Sequence, residues 1–393
     1  MKPWAMLWCA VAFCVSGCAS QTPAQRAPVS ELFHDQLFKP PAAPIDTTAI
    51  FALSDRMRDY LKHNLGQRGG GHDARRALFD ALYKRDQLKL EYDASMTRNA
   101  AQTFEARRGN CLSLVVMTAA MAREMDMTVQ YQAVTTEETW SRTGNLYFAS
   151  GHVNLVLGKP RMKDVHSVEP NQFMVVDFEP PAETRNLVTV PISEDRIVAM
   201  FMNNRAAESL SRKELNRAYW WARKATQADP TFFSSYNTLA IVYQHHGQLP
   251  QAEAALRYAQ QLQPNNTVAM FNLVQVLDNM GRTLEAAAMR EQLARLEPNP
   301  PFHYFNLGQK AMQEGEYKKA RNLFAREVDR APYYHEFHFW LAVASYHLGD
   351  MKTADKHMKL AMDNSTTRSD HDLYAAKLDR LKFQERQRNA YSN

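Results

Sequence analysis

Residues 233–266 read FSSYNTLAIVYQHHGQLPQAEAALRYAQQLQPNN. Tyr236, Leu239, Ala240 and Tyr243 recur at helical spacing, Gly247 interrupts them, and a second run carrying Ala252 and Ala259 ends at Pro264. This order predicts two helices folded back on each other. Apolar residues at steps of three and four mark a buried helix face, glycine supplies a turn where positive φ is easy, and proline stops the helix. The marks return with a period of 34 residues: Pro230, Pro264, Pro298 and Pro332; Gly247, Gly281, Gly315 and Gly349; Ala218, Ala252, Ala286, Ala320 and Ala354. Three registers sharing one period make everything after about residue 198 a stack of helical pairs, with the small alanines where two helices approach closely.

This placement resembles the tetratricopeptide repeat. The resemblance implies an all-α solenoid of five repeats over residues 198–366, at about 199–232, 233–266, 267–300, 301–334 and 335–366, with a groove that takes a protein or peptide ligand. The end repeats depart from the pattern, as terminal repeats do. The first has Lys213 near the position of the turn glycine, and the fifth has Thr366 in place of the final proline. Residues 367–393 are expected to be a polar capping helix and tail.

Upstream of the repeats the periodicity changes. Residues 46 to about 65 read as a helix capped by Asp46 or Thr47, with Ile50, Leu53, Met57 and Leu61 on one face. Ala74–Tyr83 reads as a second helix, and residues 98–125 as a third whose latter part, LSLVVMTAAMARE, is apolar or small nearly throughout. A helix apolar on all sides belongs in a core. The runs VQYQAV (129–134), VNLVL (153–157) and FMVVDF (173–178) are short, rich in valine and strand-like. Helices followed by strands predict an α+β domain with an antiparallel sheet over residues 46–197.

The first 17 residues read as a signal peptide. Lys2 precedes an apolar run, Ala5 to Val15, too short to span a bilayer. The run ends in Val15-Ser16-Gly17-Cys18, which resembles the bacterial lipobox. That resemblance implies cleavage before Cys18, lipidation of Cys18 and, with Ala19 next, a periplasm-facing position on the outer membrane, held by lipid chains. Residues 18–45, rich in Pro, Ala, Gln and Ser, would be the linker; SELFHDQLF within it carries enough apolar residues to pack on a domain. Of the four cysteines, Cys9 and Cys14 leave with the signal and Cys18 is lipidated, so Cys111 is the one free thiol expected in the mature chain.

Cys111 lies in RRGNCLSLVV (107–116), at the start of the apolar helix. The positive end of a helix favours a thiolate, a histidine in reach can take the thiol proton, and a carboxylate beyond it orients the imidazole. His152 in GHVNLVL and Asp177 in MVVDFEP follow in that order. The Gly-Asn-Cys turn with its apolar helix, the strand VQYQAV, the histidine leading into an apolar strand and the aspartate ending a Val-Val strand resemble bacterial transglutaminase-like domains, relatives of papain-type cysteine peptidases. The resemblance covers about residues 95–180. It implies Cys111 as nucleophile, His152 as general base and Asp177 as the acid that orients it. Val153 stands where an aromatic residue often follows the histidine, and the insert TTEETWSRTGNLYFASG leaves specificity open. The Cys111 backbone N–H and the Asn110 side chain are candidates for an oxyanion hole.

These residues predict acyl transfer through a thioester. The acyl donor would be a peptide or protein carboxamide. Resolution by water would make a peptidase or amidase, slightly favoured here; resolution by an amine would make a cross-linking enzyme. The rival expectation is a non-enzymatic scaffold in which the repeats do the work. The charge of +5, from 47 cations and 42 anions without a dense basic run, gives no case for nucleic acid. No cofactor is expected. His245-His246 and His335/His338 lack partners at zinc spacing, and GQRGGGH lacks the residues that complete a phosphate loop.

Overall fold

The computed structural model describes residues 28–41, 44–65, 72–84, 87–143, 146–158, 173–178, 188–332, 334–365 and 367–392. The signal segment 1–17 and Cys18 lie outside the described residues.

The N-terminal part places helices before strands. A 3-10 turn, Thr48–Ile50, precedes α1 (Asp55–Tyr60), which runs on into a π-helical turn, Leu61–Leu65. The expected helix from Asp46 or Thr47 is therefore shorter. Ser54 is its cap, accepting the N–H of Met57 at 3.3 Å. Asp46 instead accepts both the N–H and the hydroxyl of Thr48, closing a local turn. α2 is His72–Tyr83. The expected helix over 98–125 is two: α3 (Ala100–Ala106) ends at Arg107 in the left-handed conformation, φ +52°, and α4 (Cys111–Glu124) starts afresh. Between them Arg108–Gly109 (β2) pairs in parallel with Glu91–Tyr92 (β1). α4 is buried without interruption from Leu112 to Ala122, the deepest element of the domain core.

The main sheet has four antiparallel strands in the order β5-β4-β3-β6: β3 (Val129–Thr143), β4 (Leu146–Leu157), β5 (Met174–Val176) and β6 (Val188–Ile192). Backbone pairing of β3 with β4 carries the hairpin through most of the expected insert, with an irregularity between Val134 and Thr139. β6, which the sequence reading omits, adds an edge strand whose Val188 and Val190 face solvent.

α5 (Glu194–Ser211) opens the helical array, so the boundary expected at 197/198 falls inside a helix. The reason is shared burial: Ile197, Phe201 and Met202 of α5 complete the core around α4, whereas Ala206 and Leu210 of the same helix belong to the solenoid core. The pairs continue as α6 (Leu215–Ala228), α7 (Phe233–His245), α8 (Leu249–Leu262), α9 (Thr267–Asn279), α10 (Thr283–Leu296), α11 (His303–Gln313), α12 (Tyr317–Arg330), α13 (His335–His347) and α14 (Met351–Asp363), closed by α15 (Arg368–Ser392). Ala218, Ala252, Ala286, Ala320 and Ala354 have no exposed surface, as close helix contact requires. β4 also lies against α7 and α9, so the sheet reaches the solenoid.

The glycines of the four later turns take φ of +74° to +79°. Lys213, one period before Gly247, takes the same left-handed shape at φ +62°. A side chain in that region costs roughly 1–2 kcal/mol, partly offset in a glycine by its freer unfolded chain. Lys213→Gly is therefore expected to stabilise the first repeat by about 0.5–1 kcal/mol. A thermal unfolding midpoint followed by circular dichroism checks this; an unchanged or lower midpoint would show that the turn carries no strain.

Residues 28–41 are not a free linker. Two 3-10 turns, Val29–Leu32 and Asp35–Leu37, lie on α6, α7 and α8, with Leu32 and Phe38 buried in the solenoid core. The apolar residues of SELFHDQLF are thus used for packing, which pins the segment where composition alone suggests a tether.

Candidate active site

The site is assembled at the start of α4. Asn110 caps the helix: its Oδ1 accepts the N–H of Ser113 at 2.9 Å and the Ser113 hydroxyl at 2.7 Å, and its Nδ2 donates to Thr97 Oγ1 at 2.8 Å. The Asn110 side chain thus scaffolds the helix start, with its Oδ1 and one Nδ2 donor engaged in the cap. The residue type is the signal: asparagine before an apolar helix is first a capping residue. Gly109 is required by close approach, since a β-carbon there would stand 2.7 Å from Ser113 Cβ.

The cap is wired to the solenoid. Thr97 donates its N–H to Glu208 Oε1 at 2.5 Å, and its carbonyl accepts from Arg205 at 3.1 Å; both partners lie on α5. Ser113 Oγ accepts the N–H of Arg98 at 2.9 Å. One polar chain thus runs from the first solenoid helix through Thr97 to the cap of the helix that presents Cys111.

Cys111 is the first residue of α4 and is half-buried. His152 enters from β4, buried at 5% exposure, and hydrogen-bonds both Cys111 and Asp177. Its Nε2–H donates to Asp177 Oδ1 at 2.6 Å, which leaves Nδ1 for the sulfur. Burial works against a charged imidazole, but the bonds to Asp177 and Cys111 outweigh it and push the His152 pKa up to about 10. The arrangement thus favours an imidazolium beside the sulfur. The structure brings Cys111, His152 and Asp177 into one hydrogen-bonded row.

Two further residues hold the row. Asp177 follows β5, and its other carboxylate oxygen accepts from Asn154 Nδ2 at 3.0 Å. Tyr83, from α2, donates its hydroxyl to the Asp177 carbonyl at 2.7 Å, and its ring lies 5.8 Å from that of Phe178. Burial and then the Asp177 charge push the Tyr83 phenol up to about 12, so it remains a donor at neutral pH. Asp177 is therefore fixed at both carboxylate oxygens and at its backbone. Neither Asn154 nor Tyr83 stands out in the sequence reading. Asn154 had a signal: in the otherwise apolar VNLVL it sits two residues from His152, on the same side of a strand. Tyr83 had none, because only the packing of α2 against the end of β5 brings it there.

The histidines of the fifth repeat serve packing. His338 and His357 meet through their Nδ1 atoms at 2.9 Å, His338 Nε2 donates to the Pro332 carbonyl at 2.6 Å, and His335 Nδ1 lies 2.8 Å from the Tyr374 hydroxyl. Burial keeps all three below the ordinary histidine range.

The tetratricopeptide repeat family matches residues 221–254 and again 305–356. The C-terminal array is built of tetratricopeptide repeats. No curated protein matches the chain. Similar solved structures include YrrB, described as a TPR protein with an unusual peptide-binding site, at 22% identity over 46% of this chain and 92% of that one, TM-score 0.25. Pseudomonas aeruginosa pilF shares 20% identity over 50% of this chain and 98% of its own, TM-score 0.28. MamA of Desulfovibrio magneticus RS-1 shares 19% over 44% and 96%, TM-score 0.26. The two family matches lie wholly within the tetratricopeptide repeats.

Proposed function

We propose that the chain is a cysteine acyl-transfer enzyme with a transglutaminase-like N-terminal domain, coupled to a tetratricopeptide array that binds a protein or peptide. The observation that carries the reading is the row Cys111–His152–Asp177, with the histidine buried and its charged form favoured. Cys111 Sγ attacks a carboxamide or peptide carbonyl carbon. The His152 proton passes to the departing amine, and a thioester remains. Water, deprotonated by His152, resolves the thioester in a peptidase or amidase; an amine resolves it in a cross-linking enzyme. The Cys111 N–H at the helix start is the oxyanion donor this scheme uses. Attachment to the periplasmic face of the outer membrane through lipid on Cys18 belongs to the same proposal.

The test uses p-nitrophenyl acetate as acyl donor. The full chain is expected to release p-nitrophenol in a burst and to carry acetyl on Cys111 by mass spectrometry; Cys111→Ser should do neither. Added amine that shifts product from acetate to amide would mark a transferase. Acylation no faster than that of free cysteine, and unchanged in His152→Ala, would sink the enzyme reading. It would leave the second reading, a tetratricopeptide scaffold whose N-terminal domain only packs. Both family matches falling in the repeats favour that alternative.

A further inference from the structure

Residues 29–39 are held on the solenoid as a ligand is held. Their backbone is bonded by side chains and not by a neighbouring strand. The His34 N–H donates to Tyr219 Oη at 3.0 Å and to Tyr243 Oη at 3.2 Å, and Tyr243 in turn donates to the Leu32 carbonyl at 2.7 Å. The Lys39 N–H donates to Asn216 Oδ1 at 2.8 Å, and Trp220 Nε1 donates to the Lys39 carbonyl at 2.7 Å. Four backbone groups of the segment thus make five hydrogen bonds to four residues of α6 and α7, with no β-pairing.

Three anchors supply selectivity. Leu32 and Phe38 are buried at 6% and 4% exposure. Phe38 lies flat on Tyr219, ring centroids 4.0 Å apart at 5°, and the His246 ring is tilted against it with centroids 4.7 Å apart. Between them Asp35 accepts from the Tyr219 hydroxyl at 2.6 Å and pairs with Arg223 at 2.8 Å, while the Arg223 guanidinium also covers the Phe33 ring at 4.7 Å. Leu32, Asp35 and Phe38 are three residues apart; Leu32 ends one 3-10 turn, Asp35 starts the next and Phe38 is extended just after it, and each of the three reaches the cradle through its own contacts.

We propose that this cradle on α6 and α7 is a peptide-recognition site. Its trans ligand is a partner segment with an apolar residue, a carboxylate and an aromatic residue at steps of three, and the chain's own residues 29–39 occupy it in cis. The contact is short, lacks regular pairing, and keeps its ionic anchor at the rim, where the Asp35 side chain is 43% exposed. A partner therefore enters by replacing the resident segment, and its apparent affinity falls by the fraction of time the cradle is open. The proposal stands apart from the chemistry at Cys111.

The probe is a fluorescein-labelled peptide of residues 28–41, followed by anisotropy with the full chain. Leu32→Ala with Phe38→Ala loosens the resident segment and is expected to give saturable binding at least about tenfold tighter than the wild-type chain. Arg223→Ala added to that variant, or Asp35→Asn in the peptide, should weaken binding. Asp35→Ala in the full chain is a milder opening, used if the double variant loses helical circular dichroism. Absence of saturable binding to an opened variant with intact helicity overturns the proposal. So does equal binding to the wild-type, opened and Arg223→Ala chains, which would place the peptide elsewhere.

Discussion

His152→Ala is expected to lower acyl turnover at Cys111 by about 10²–10⁴-fold at neutral pH, the range for loss of a positioned proton-transfer group. Alkylation by iodoacetamide should fall less, because it needs no proton delivered to a leaving amine. The pH dependence separates this from damage to the fold. With the His152 pKa raised to about 10, the imidazolium persists across the neutral range, so wild-type acyl turnover, which draws on the His152 proton for the departing amine, should keep its plateau until pH approaches that value. Asp177→Asn removes the charge and weakens the bond at Nε2, so the imidazolium is lost at lower pH and the plateau shortens from its alkaline end. The linked stability has the same sign. A histidine raised above its ordinary 6.5 contributes fully below that pH, and the contribution fades as pH rises through about 10. A profile identical in wild type, His152→Ala and Asp177→Asn would mean that the row does not act on the sulfur.

Gly109→Ala is expected to destabilise the N-terminal domain by about 1–3 kcal/mol, as overpacking of a tight interior does. The new β-carbon would stand 2.7 Å from Ser113 Cβ and 3.4 Å from Thr103 Cγ2, and Ser113 is fully buried. Ser113 cannot move without disturbing its bonds to Arg98 and Asn110, which form the cap of α4. The thermal midpoint should fall, and Cys111 alkylation should slow at temperatures where the chain remains folded. A variant with wild-type midpoint and alkylation rate would show that the turn has slack, and that Gly109 is not needed to place the sulfur.

Much of the architecture was legible because periodic burial leaves periodic marks. Alanine where helices touch and glycine where φ turns positive recur every 34 residues, each for a local reason. Lys213 shows the limit. The backbone of the first repeat makes the same turn without the glycine that announces it, because the rest of the helical pair imposes the shape. The short runs of the sheet were readable by their valine content and, in VQYQAV, by alternation, but the extent of the β3–β4 hairpin was not, since polar residues in the insert do not alternate with apolar ones. The single helix expected over 98–125 broke at Arg107 because a left-handed residue and a parallel pairing with β1 decide that point, and neither has a strong local signature.

The site divides in the same way. The order Cys111, His152, Asp177 and the apolar helix behind the cysteine are properties of the chain itself. So are the repeat period and the capping chemistry of asparagine before a helix. Other facts required the folded molecule. Asn110 is committed to Ser113 and Thr97, Tyr83 and Asn154 clamp Asp177, α5 serves two cores at once, and residues 29–39 lie in an aromatic cradle nearly two hundred residues away. The physical reason is one of range. Helix periods, turns and caps are decided by neighbours within a few residues. Hydrogen bonds between α2 and the end of β5, or between residue 35 and residue 219, depend on which surfaces packing brings together, and the local pattern does not carry that information.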